Sequence, residues 1–120
     1  MSAAADALDA LFVALEGVDG LRVVRGIGLQ VDPPAVVIPP PNLTWSAMGD
    51  DPTDATFSVG LLVVNNDRIT EQLLYWQPLV VAALQTVDNA VVTTAALGSW
   101  PAGGGTDLPA YLITTEVGLL

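Results

Sequence analysis

The chain has 120 residues, no Cys, His or Lys, three arginines and 13 acidic residues, for a formal net charge of −10. Without those residue types there is no thiolate nucleophile, disulfide framework, Cys/His zinc site, Ser-His-Asp triad, histidine base or lysine Schiff base. Hydrophobic residues make up 52% of the chain and charged residues 13%, the latter about half the usual share.

A chain of this length is expected to form one domain, residues 1–120, with an adequate core and no staples. Its few ionised side chains cannot cover the surface in the usual way. Other subunits, rather than Ser, Thr, Asn and Gln alone, are the favoured cover. Three arginines are too few for tight duplex binding, which depends on cation-driven counterion release. An acidic surface still suits DNA that must slide past without sticking.

The first expected element is an amphipathic helix over Ala3 to Glu16, started by Ser2 and closed by Gly17. Its apolar stripe is Leu8, Leu11, Phe12 and Leu15. Acidic residues Asp6 and Asp9 argue against an export signal here. Leu21 to Val31 reads as a strand with a bend at Gly26 and Gly28. Ala35 to Ile38 reads as a short strand between two proline groups. Pro39, Pro40 and Pro41 offer no amide donors, so no central strand continues past Ile38.

Asn42 to Asp54 reads as a surface loop bearing Trp45 and Met48. Ala55 to Val64 is the strongest strand, and Leu61 to Val64 is apolar on both faces, as a central strand should be. Asn65, Asn66 and Asp67 are expected to turn the chain and cap a long helix. Ile69, Leu73, Trp76, Val80, Leu84 and Val87 make its seam, and Pro78 predicts a kink near Tyr75 or a restart. The greasy run Leu73 to Leu84 is far too short to span a bilayer.

Ala90 to Leu97 and Leu108 to Val117 alternate with period two and are expected to pair as a hairpin. One face should carry Val91, Thr93, Ala95 and Leu97; its partner should present Tyr111, Ile113, Thr115 and Val117. Gly98 to Asp107 reads as a long loop holding Trp100 and three glycines. The expected fold is α+β, a mainly antiparallel sheet of four to five strands with two helices on one face, in the order α-β-β-β-α-β-β.

Candidate chemistry is sparse. Asp50, Asp51 and Asp54 crowd one loop and could hold a hard cation, but the spacing is not that of an EF-hand and ordinary turn chemistry is the stronger reading. Gly103 to Gly105 lacks the flanking strand, helix and cation of a phosphate loop. The triple proline reads as an edge terminator before a polyproline ligand. Two readings of Arg22, Arg25 and Arg68 stand open: neutralising acids of their own subunit, or pairing with an adjacent copy. Trp45 and Trp100 in loops, and the strand edge with Val36 and Ile38, are the expected contact surfaces.

Five segments, taken in order, resemble the tail terminator (tail-completion, neck) proteins of long-tailed bacteriophages. They are the first helix running into GLRVVRG, then PPAVVIPPPN, ATFSVGLLVV followed by DRITEQLLYWQPLVVAAL, and the terminal pair AVVTTAALGSW and LPAYLITTEVGL. The resemblance covers nearly the whole chain and implies a structural virion protein, made in the host cytoplasm. Such a protein forms a hexameric ring on the tail tube protein, ends tube polymerisation and presents a surface to the head-to-tail connector protein. DNA would pass its lumen without specific binding. No catalytic residue, cofactor, metal or membrane comes with the resemblance, so no enzyme is expected. The alternatives are a head-closure or connector neck protein, or, in a different class, a small ligand- or metal-binding domain using Asp50, Asp51 and Asp54.

Overall fold

The computed structural model describes residues 3–25, 34–45, 52–64, 67–101 and 107–119. The chain order is α1 (Ala3–Glu16), β1 (Arg22–Arg25), β2 (Ala35–Ile38), β3 (Asn42–Thr44), β4 (Asp54–Leu62), α2 (Ile69–Leu84), β5 (Ala90–Pro101) and β6 (Asp107–Gly118). The fold is α+β, with the expected order of elements and one added strand, β3. Ser2, the part of the first strand beyond Arg25, Met48, Asn65, Asn66 and Gly103 to Gly105 lie outside the described residues.

The sheet runs β1-β2-β4-β6-β5, with β3 also on β4. Among the described residues only β1 and β2 pair parallel; every other pair is antiparallel. Strand β4 is central, as its doubly apolar second half requires. β2 and β3 share one side of it: Val37 pairs with Gly60, and Asn42 pairs with Thr56. The four residues Ile38 to Pro41 therefore face only Phe57, Ser58 and Val59. The three prolines fill this interruption, where no ladder amide is needed. Beyond it, Asn42 can donate again, so the segment read as loop pairs as β3.

Both helices cover one face. Leu11 and Leu15 of α1, and Leu73, Val80 and Leu84 of α2, meet Val36, Ile38, Phe57, Val59, Leu61, Ile113 and Val117 in one buried core. The i, i+4, i+7 spacing of the helical residues and the period of two along β4 bring these side chains to the same layer. The helix-free face has its own small cluster, Ala35, Val37, Leu62 and Ala110, with Val24, Trp100 and Leu108 packed against it.

Helix α2 runs through Pro78 without a break. Proline removes the amide that would reach the Leu74 carbonyl, and both residues are exposed, so water can satisfy that carbonyl. The N-cap is Arg68, and among the described residues no side chain caps the helix, so Asp67 turns the chain without capping it; Asn65 and Asn66 lie outside the described residues. Gln72 Nε2 instead donates to the Val64 carbonyl at 3.2 Å, tying the first turn to the end of the central strand. Thr86 Oγ1 donates to the Ala83 carbonyl at 2.6 Å at the other end.

The hairpin is longer than the sequence suggests, since β5 and β6 pair from Ala90 with Val117 to Pro101 with Asp107. A register shift between Val92 and Thr94 breaks the alternation expected for β5. Val91 consequently pairs with Glu116, while Ala95 and Leu97 pair with Ile113 and Tyr111. Val91 thus lies on the helix-free face and Ala95 on the other. Among the described residues, no helix is long and apolar enough to cross a membrane.

Candidate interaction surfaces

The interaction residues expected from the sequence fall in different environments. Val36 and Ile38 are 0% exposed, and β2 lies between β1 and β4. That strand is therefore interior and its side chains belong to the subunit's own core, not to a contact surface. β2 does end at Ile38, before the prolines, but its partner on the other side, β1, pairs through a parallel connection that no local pattern encodes.

Trp100 is corrected from loop to strand. It pairs with Leu108 near the end of β5, and its ring packs on the helix-free face across to Gly60 of β4. Ala110, in the same cluster, is fully buried, and the small residues Gly60 and Ala110 leave room for the indole on this face. Half-buried there, Trp100 completes the small second cluster. Trp45, by contrast, follows β3 and is 50% exposed. β3 pairs with the start of β4, at Asp54 to Thr56, so the two indoles sit toward opposite ends of the central strand.

The arginines divide similarly. Arg22 and Arg25 begin and end β1, on the outside of β2; Arg22 is exposed, and the Arg25 side chain lies outside the described residues. Arg68 is exposed at the start of α2. Of the three clustered acids, Asp50 and Asp51 lie outside the described residues. Asp54 is exposed at the start of β4 and accepts a hydrogen bond from Thr53 Oγ1 at 3.1 Å. Among the described residues no group of three or more acids could hold a metal ion.

Four further surfaces carry no residue expected from the sequence as a contact, apart from Ile38 and Trp100. The outer side of α2 exposes Leu74, Tyr75 and Leu79, with Pro78 and Ala82 between and beside them. The signal was present: from Leu73 to Leu84 Gln77 is the one residue with a strongly polar side chain, so this part of the helix keeps little polar surface outside its seam. Two grooves flank α1. One, about 750 Å³, lies between the Asp6, Ala10 and Val13 side of α1 and the turn at Val87 and Asp88 beside Leu119. The other, about 460 Å³, lies between Ala4 and Leu8 of α1 and the segment Ile38, Pro40, Pro41 and Leu43. Finally, β5 is the outermost strand of the sheet, and its twelve residues AVVTTAALGSWP include no charge. An edge of that length without charged guards is an unusual exposure of unpaired backbone donors and acceptors.

These surfaces are suited to contact rather than catalysis. The α2 stripe and the groove beside Ile38 are apolar, the groove beside Asp88 mixes acids with apolar residues, and the surfaces are spread over several elements, whereas a reaction site converges a few polar groups in one pocket. No protein-family model matches the chain, and no curated protein matches its sequence.

Proposed function

We propose that this protein is a ring-forming structural subunit of the tail terminator kind, capping a phage tail tube and presenting its other face to a head-side connector. The observation that carries this reading is the apolar outer stripe of α2 together with the uncharged open edge of β5, on a chain with few charges to spare. Leu74, Tyr75 and Leu79 are 55%, 64% and 42% exposed. Covering each such side chain recovers about 1 kcal/mol, a fraction of the 1.5–3 kcal/mol of full burial. The ordered resemblance of the sequence to tail terminators supplies the partners: copies of the chain, tail tube protein and connector.

Closed rings of identical subunits use heterologous contacts, in which two different patches meet. The surfaces lie on separate elements, α2 in the helical layer and β5 at the sheet margin, which meets that requirement. The net charge of −10 suits a lumen through which DNA slides unheld. Negative-stain electron microscopy of the purified protein, with light scattering for mass, is the test. Rings that bind the end of tail tubes and stop their growth are the expected result. A protein that stays monomeric at every concentration and ignores tail tubes overturns the proposal.

A further inference from the structure

We infer that β5 of one subunit receives β1 of a second copy, so that the sheet continues head to tail from subunit to subunit. The inference deepens the proposed ring and rests on it for the premise that copies associate. Its observations are the two margins of the sheet. Among the described residues β5 pairs only with β6, and β1 only with β2. β5 offers twelve residues of open ladder with no charged side chain, a ready template for an added strand.

Charge decides which strand is added. Neither β5 nor β6 contains a cation. The acids nearest the start of β5 are Asp88, two residues before it, and Glu116, opposite Val91; both are exposed. Joining two β5 edges antiparallel would set the Asp88 and Glu116 end of each against the other's Pro101 end, which Asp107 flanks on β6, so acid meets acid on subunits that already carry −10 each. β1 begins and ends on arginine, so adding it instead brings cations to those acids. A guanidinium has five donors, enough to serve an acceptor on the neighbour as well as one on its own subunit. Because the two edges differ, the contact is heterologous and propagates, as a ring requires.

The chain has no native cysteine, which makes cross-linking clean. Val23→Cys is combined in turn with Thr93→Cys, Ala95→Cys and Leu97→Cys, each variant is checked for folding by circular dichroism, and the assembled protein is oxidised. At least one pair is expected to give a reducible ladder at multiples of the subunit mass, while every single-cysteine variant stays at one subunit. Dimers from Ala95→Cys alone would mean that β5 pairs with itself and would overturn the inference. No ladder from any pair, in protein that still forms rings, would overturn the seam and leave the ring reading intact. A ladder in protein that does not cap tail tubes would support the seam and refute the tail reading. Replacing both ends of β1, Arg22→Glu with Arg25→Glu, should lower ladder yield about fivefold in either strand direction; an unchanged yield would overturn the charge argument.

Discussion

The indole of Trp100 rests on the bare backbone of Gly60: a methyl group at position 60 would stand 2.7 Å from Cε3 and 2.8 Å from Cζ3 of the ring. This contact joins the edge strand β5 to the central strand β4 across β6. Gly60→Ala must therefore displace the ring or the strand, at a cost of about 1–3 kcal/mol in chemical denaturation. In a Trp100→Ala background the same substitution should cost nothing, or gain a few tenths through strand propensity. Equal penalties in the two backgrounds would show that the contact is not the cause.

Thr115 lies in the core layer between Phe57 and Val92, fully buried, and its hydroxyl has no hydrogen-bond partner among the described residues. An unpaired buried hydroxyl costs about 1–3 kcal/mol. Thr115→Val keeps the shape and removes the orphan, so the midpoint of urea unfolding should rise by the equivalent of about 1 kcal/mol. Thr115→Ser keeps the orphan and loses a methyl, and should fall by a similar amount.

Pro78 sits within α2 on its exposed side. Pro78→Ala supplies the missing amide to the Leu74 carbonyl, and should stabilise the protein by about 1–2 kcal/mol after allowing for the greater freedom of the unfolded chain. A fall in thermal midpoint would instead indicate that the helix is shaped around the proline ring.

Among the described residues two backbone positions are left-handed, Gly20 with φ 82° and Asn89 with φ 66°. Asn89 closes the turn from α2 into β5, and its carbonyl accepts from the Gly118 amide at 3.1 Å. Asn89→Gly should change stability by less than about 0.5 kcal/mol, whereas the β-branched Asn89→Val should cost about 2 kcal/mol. Gly20→Ala should cost about 1 kcal/mol for the same conformational reason. Parallel denaturation curves for the three variants check the ranking.

The double variant Leu74→Gln with Leu79→Gln separates folding from association. Both side chains are exposed in the subunit, so subunit stability should move by less than about 0.5 kcal/mol. Self-association, read by sedimentation, should weaken by about tenfold or more, equivalent to 1.4 kcal/mol. Unchanged association would remove α2 from the contact surfaces.

The helices and the central strand were legible because their signals are local and redundant. The seam from Ile69 to Val87 repeats over many residues, and Leu73, Val80 and Leu84 are buried as its spacing demands. Leu8 and Phe12 pack beside Leu11 and Leu15 in the same way. Strand β3 was less legible, because its three residues are all exposed and carry no alternation to read. The bulge before Thr94 was equally hidden: Thr93 and Thr94 differ only in which one the partner strand skips.

Periodicity, proline and the shortage of charge were sufficient to establish two helices, a mostly antiparallel sheet and an apolar exterior, since each depends on neighbours within a few positions. Which strands lie inside, and which indole is tucked away, depended on pairings between residues far apart in the chain. Val36 and Ile38 became core because β2 lies between β1 and β4 and beneath the helices, and Trp100 left the solvent because Gly60, forty residues earlier, had no side chain to block it. Burial is a property of the assembled layers, and a linear sequence states it only where the same segment supplies both the surface and its cover.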